Sequence, residues 1–217
     1  MTASRTSRML ISKDPSAITS LLKTTPAAVV AYPTETFYGL GALISDENAV
    51  NRIVEIKGRD ATKGMIILAS SMDMVRSLCH LDEKREMLLE TFWPGPLSAV
   101  LPADENLSPL LAPGNRIAVR ISPHPLALKL VEEVGPVTST SANISGKSPA
   151  QCVDDILSQG LDLDGILDGG TTSGANPSTL IDLICWPPAC LREGATPFQR
   201  ILDISSRITP PDFRLTD

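Results

Sequence analysis

Apolar positions along this chain recur in two periods, every three to four residues and every second residue, and their succession predicts an α/β protein. Asp14-Pro15 opens the first helix, with a capping carboxylate followed by proline where no N–H is missed. Ile18, Leu21 and Leu22 then fall at helical spacing. Residues 27–32 form a compact apolar run that reads as a strand stopped by Pro33. Asp46 is placed to cap a second helix, with Val50, Ile53, Val54 and Lys57 on adjoining turns. Further strands are expected at 65–69, 97–101, 117–121, 137–140, 165–167, 179–184 and 190–192. Helices are expected at 72–79, 82–92, 126–134, 153–158 and 198–203, with Trp93-Pro94-Gly95-Pro96 ending the second of these.

No linker-like break divides the middle and no repeat is visible, so one domain spanning 12–205 is expected. It is flanked by flexible tails at 1–11 and 206–217. The 217 residues suffice for one core. With aromatics at 4%, aliphatic side chains must fill it. A net charge of −6 argues against a surface built wholly for nucleic acid, though not against a local basic pocket. No apolar run approaches membrane-spanning length, and residues 1–8 lack the apolar core of a secretory signal. Cys79, Cys152, Cys185 and Cys190 show no metal-ligand spacing and only His80 and His124 could assist them. No protein-bound metal is expected, and the cysteines read as reduced thiols of a cytoplasmic protein.

Polar chemistry gathers where apolar strands end, the usual place for ligands on an open α/β sheet. Thr34, Glu35, Thr36 and Tyr38 follow the first such strand, with Gly39 and Gly41 beside them. An ordinary turn with a solvated Glu35 would give the same pattern. Lys57, Arg59 and Lys63 lie with Gly58 and Gly64 between a helix and a strand. They could cradle an oxyanion or form a solvated loop. Ser139, Ser141 and Asn143 follow another strand, where hydroxyls and amides suit either a polar ligand or a local cap. Arg120 ends an apolar strand and needs a partner, either a carboxylate ligand or, more commonly, an internal Asp or Glu. Ser178 and Arg192 add a hydroxyl and a cation beside later strands. His124 between prolines reads as a helix-start residue, and Trp93 as a packing anchor. Neither a P-loop, nor a complete dinucleotide glycine motif, nor a Ser/His/Asp order occurs.

The blocks 32–41, Lys57/Arg59, Trp93-Pro94-Gly95-Pro96-Leu97, Arg120 with His124-Pro125-Leu126, Ser141-Ala142-Asn143, Asp168-Gly169-Gly170 and Ser178-Thr179 follow one another in the order seen in a known family. From Ser12 to Ser205 the chain resembles the YrdC/Sua5/TsaC proteins. Lys63-Gly64 resembles the short TsaC-like branch, without the extra C-terminal domain of the longer one. The resemblance implies a single-domain twisted mixed sheet flanked by helices, with a concave electropositive cavity. It also implies an L-threonylcarbamoyladenylate synthase, a nucleotidyltransferase that joins ATP, L-threonine and bicarbonate into threonylcarbamoyl-AMP and pyrophosphate for t6A37 modification of tRNA. On that likeness Lys57, Arg59, Ser139, Ser141, Asn143 and Arg192 hold ATP, with Lys57 and Arg59 the catalytic pair. Thr34, Thr36, Lys63, Arg120 and Ser178 hold threonine. Mg2+ is expected with ATP, the product is expected to pass to a separate tRNA threonylcarbamoyl transferase complex, and tRNA binding is expected to be weak. The other reading is a non-catalytic RNA-binding module using the same basic cavity; few aromatics and no basic stripe count against it.

Overall fold

The computed structural model describes residues 9–58 and 64–208. In chain order the elements are β1 (Leu10–Ser12), α1 (Pro15–Thr24), β2 (Val30–Pro33), β3 (Tyr38–Gly41), α2 (Glu47–Lys57), β4 (Ile66–Ala69), α3 (Met72–Arg76), α4 (Glu83–Phe92), β5 (Leu97–Pro102) and β6 (Arg116–Ile121). They continue as α5 (Pro125–Val134), β7 (Val137–Thr138), β8 (Thr140–Ser141), α6 (Val153–Ser158), β9 (Gly165–Leu167), β10 (Thr179–Asp182), β11 (Ala189–Arg192) and α7 (Phe198–Ser205).

The expected mixed-sheet α/β architecture flanked by helices is present, its strands divided between two mixed sheets. One runs β1-β9-β2-β3-β8 and the other β11-β10-β5-β6-β4-β7. The division turns on residues 137–140, which the apolar pattern presents as one strand. Val137–Thr138 pairs with β4 in the second sheet, Thr140–Ser141 pairs with β3 in the first, and Ser139 joins them. Two further strands escape the apolar pattern. Leu10 and Ile11, expected in the tail, begin β1 and pair in parallel with β9. Residues 38–41, where no strand was expected and a turn was one of two readings, form β3 antiparallel to β2. Gly41 is required there by packing, since a Cβ would lie 2.6 Å from Cε1 of Tyr32.

Helix boundaries follow local chemistry. Asp14 accepts the Ser16 amide at 3.0 Å, Asp46 the Ala49 amide at 3.1 Å and Asp82 the Arg85 amide at 2.9 Å, so each capping carboxylate satisfies an orphan N–H. Gly58 ends α2 at φ 56, the left-handed conformation that glycine adopts without a Cβ penalty. His124 caps α5 through Nδ1, which accepts the Leu126 amide at 3.3 Å.

Alternation along the strands then assigns their faces. Leu97, Ala99 and Leu101 of β5 and Ile117, Val119 and Ile121 of β6 share the larger core with Leu88 and Leu89 of α4 and Ile201 of α7. Each such leucine, isoleucine or valine contributes roughly 1.5–3 kcal/mol by leaving water. Ser98 and Arg120 are the polar residues among those between these apolar positions. A smaller core joins Ile18 and Leu22 of α1, Val30 and Tyr32 of β2, and Leu130 and Val131 of α5. Trp93 is an anchor, as its setting implies: it is buried and its Nε1 donates to the Leu97 carbonyl at 2.7 Å.

Candidate active site

Where the two sheets meet, their strand ends and connecting loops line an open-mouthed cavity of about 410 Å³, within the range of small-molecule sites. Thr34, Thr36, Phe37, Tyr38 and Gly39 come from the β2–β3 hairpin, and Ser139, Thr140 and Ser141 from the crossing between sheets. Gly64, Ile66, Arg120, Pro177, Ser178, Leu180 and Arg192 come from the second sheet and its ends. Of the residues singled out in the sequence, Thr34, Thr36, Arg120, Ser139, Ser141, Ser178 and Arg192 therefore converge on one hollow. Lys57 and Asn143 are not on its wall. Arg59 and Lys63 lie outside the described residues.

The Arg120 side chain is buried, at 4% exposure for the residue, and its partner is internal. Nη2 donates to Glu35 Oε2 at 2.8 Å, Nη1 reaches Thr36 Oγ1 at 3.4 Å, and Ser122 Oγ also donates to Glu35 Oε2. Glu35 is thus a largely buried counter-charge rather than a solvated turn residue. The pairing is incomplete: Arg120 Nε and Glu35 Oε1 are buried with no hydrogen-bond partner among the described residues. One is a donor and the other an acceptor, and leaving either unmatched costs about 1–3 kcal/mol.

Beside it, Thr34 Oγ1 donates to the Phe37 carbonyl at 2.7 Å and lies 3.1 Å from Thr36 Oγ1, which folds the hairpin over the cavity. Across the hollow, Arg192 Nη2 donates to the Ser178 carbonyl at 2.8 Å and to Ser178 Oγ at 3.3 Å. No ion pair joins Arg192 to a carboxylate among the described residues. Burial first, and then repulsion from Arg120, lowers its pKa from the usual guanidinium value. Two guanidiniums that repel each other across a shared cavity favour an anion between them.

Lys57, 5% exposed, is engaged differently. Its ammonium donates to the Ser141 carbonyl at 2.6 Å, the Asn143 carbonyl at 3.0 Å and Asn143 Oδ1 at 3.1 Å. Ser141 Oγ donates to the same Oδ1 at 2.6 Å, while Asn143 Nδ2 donates to the carbonyls of Ile144 and Lys147. The cluster holds the backbone that carries Ser139 and Ser141 to the cavity.

Ser98 and Ser122 were not singled out from the sequence, and Glu35 was noted in the cluster after the first strand without a role. Their signal is a polar residue inside or directly after an apolar strand, which burial obliges to find a partner.

The Sua5/YciO/YrdC family model, described as "Telomere recombination", matches residues 25–194. The threonylcarbamoyl-AMP synthase of Pyrococcus abyssi is 43% identical over 187 residues, 83% of this chain and 54% of that protein. Its namesake from Bacillus subtilis is 38% identical over 179 residues, 80% of this chain and 51% of that protein. This chain thus spans about half the length of these two relatives. The threonylcarbamoyl-AMP synthase of Photobacterium profundum is 36% identical over 172 residues, 76% of this chain and 92% of that protein. A crystal structure of P. abyssi Sua5 complexed with L-threonine superposes with a TM-score of 0.83 at 38% identity, covering 91% of this chain and 60% of that one. Escherichia coli YciO, at 24% identity, shares the fold with a TM-score of 0.80, covering 90% of this chain and 100% of that one.

Proposed function

This chain belongs to the Sua5/YciO/YrdC family, and from that membership we propose that it is an L-threonylcarbamoyladenylate synthase acting on ATP, L-threonine and bicarbonate. One observation carries the reading: Arg120, Arg192, Ser178, Thr34 and Thr36 border a single cavity, so binding groups for an amino acid and for phosphate are juxtaposed.

In this reading the threonine carboxylate lies against Arg120 and Ser178, and the side-chain end against Thr34 and Thr36. Threonine's amine combines with bicarbonate to give the carbamate, releasing water and, from the ammonium form, a proton. A carbamate oxygen then attacks the α-phosphorus of ATP; a P–O bond forms and the bond to the β-phosphate breaks, releasing pyrophosphate. The leaving group departs without help from an enzyme nucleophile, so positioning and charge neutralisation are what the protein must supply. Arg192 and the hydroxyls of Ser139 and Ser141 supply them on the nucleotide side, and Lys57 with Asn143 holds the segment bearing those serines. Arg59 and Lys63 keep the roles the resemblance implies. Magnesium arrives as part of the ATP substrate and offsets phosphate charge as pyrophosphate leaves. Sequestration between the two sheets protects the short-lived carbamate from water. The product, a mixed anhydride, is delivered to a separate tRNA-modifying transferase in the cytoplasm, and contact with tRNA itself is weak. No helix among the described residues is long and apolar enough to cross a membrane.

The test is pyrophosphate release from MgATP with and without threonine and bicarbonate. Release that requires both supports the synthase. Salt-sensitive RNA retention with no such release overturns it in favour of an RNA-binding module.

A further inference from the structure

We infer that Ser98 is a positioning residue that fixes Ser178 as a proton donor toward the anionic group of the amino-acid substrate. The inference rests on the reading of this cavity given above and adds a residue to it.

Ser98 lies in β5 on the face opposite Leu97, Ala99 and Leu101, and it is 0% exposed. Its Oγ is 2.9 Å from Ser178 Oγ, and among the described residues this is the only hydrogen-bond partner of the Ser98 hydroxyl. Distance alone leaves the direction open, but the surroundings decide it. A buried O–H that finds no acceptor forfeits its full hydration, whereas an oxygen lone pair left over is tolerated more readily. Ser98 therefore donates and Ser178 accepts.

Arg192 supplies the second half of the argument. A guanidinium has donors only, so its 3.3 Å contact also places Ser178 Oγ as the acceptor. With both lone pairs of Ser178 Oγ taken, its own proton is the group left to point elsewhere. Ser178 is buried and lines the cavity that also holds Arg120. Its hydroxyl is thus oriented, before any ligand arrives, to donate to an oxygen anion there and to repel a donor.

The neighbouring hydroxyl shows what a purely structural role looks like. Thr179 Oγ1 accepts the amides of Gly194 at 2.9 Å and Thr196 at 3.1 Å and also donates to the Thr196 carbonyl, which leaves it nothing for a ligand. Ser178, one residue earlier, keeps one unassigned proton, and Ser98 is the residue that keeps it unassigned.

The experiment compares wild-type protein with Ser98→Ala, Ser178→Ala and the double variant, reading L-threonine binding by calorimetry and KM against kcat for pyrophosphate release. Ser98→Ala is expected to weaken threonine binding and raise its KM roughly tenfold, the scale of one hydrogen bond to a charged group, with the KM for ATP unchanged. In the Ser178→Ala background the same change is expected to add nothing. Ser98→Cys, which keeps a weak donor, is expected to fall between wild type and Ser98→Ala; it serves as the reporter if the alanine variant does not fold. Threonine binding unchanged in Ser98→Ala, an equal rise in the KM for ATP, or an undiminished effect in the Ser178→Ala background overturns the assignment of Ser98. Absence of threonine binding by the wild-type protein overturns the reading of the cavity itself, and the assignment with it.

Discussion

Behind the cavity, Lys57 and Asn143 are satisfied by each other and by Ser141 at the edge of the wall: the ammonium has three acceptors and the Asn143 amide is bonded at both ends. On the wall, the groups are left incomplete, with Arg120 Nε and Glu35 Oε1 unmatched and Arg192 bonded only to Ser178 among the described residues. Both clusters combine a buried cation with neighbouring hydroxyls, and sequence alone does not separate them. The difference teaches that a saturated polar cluster is scaffold, whereas one left short of partners retains capacity for a ligand. Unmatched buried atoms lower stability. A ligand that supplies the missing partners returns that free energy as affinity.

The sharpest way to break this contrast is Arg120→Ala. Threonine binding is expected to weaken by ~2–5 kcal/mol, since a desolvated charge pair is lost, while the KM for ATP changes far less. Calorimetric titration showing an unchanged threonine affinity ends the assignment of this wall. Lys57→Ala probes the other side. It removes the ammonium that donates to the carbonyls of Ser141 and Asn143 and to Asn143 Oδ1, of which the Ser141 carbonyl keeps the Asn143 amide, and urea unfolding is expected to show a loss of roughly 2–4 kcal/mol. A variant as stable as wild type with only ATP use impaired would make Lys57 a ligand group rather than scaffold. Glu35→Gln sharpens the comparison with the smallest effect. Removing the counter-charge of Arg120 is expected to cost about 1–2 kcal/mol, the pair being partly exposed. Added threonine is then expected to raise Tm more in this variant than in wild type, because its carboxylate restores the missing charge. An equal thermal shift in both proteins would show that Glu35 does not stand in for the substrate.

Much of the fold is legible because local rules act without tertiary help. Asp14-Pro15 and Asp46 mark helix starts through a single side-chain bond each, and Gly58 marks an end through one dihedral angle. What stays hidden depends on partners distant in sequence. β1 is short, and Leu10 and Ile11 are exposed, so no apolar alternation announces it. β3 carries glycines that read as a turn until Tyr32, on the paired strand, is seen to need their space. The strand at 137–140 looks continuous because β-branched residues occur in both halves, which pair in different sheets. In the site, Arg120 was legible as a charge wanting a partner. That the partner is Glu35 depends on a fold that brings residues 35 and 120 together. Ser98 was invisible for a related reason, since one serine within an apolar strand takes its meaning from the residue across from it.

The crossing at Ser139 has a mechanical consequence. One residue of extended chain reaches no more than about 3.6 Å, and on either side of it the backbone is locked into a different sheet. Thr138 is further tied to Ala42: its amide donates to the Ala42 carbonyl at 3.0 Å, and its hydroxyl accepts the Ala42 amide at 2.9 Å. At this point the layers are stitched together as pages are at a spine, and Ser139 is held at a fixed place in the wall of the hollow.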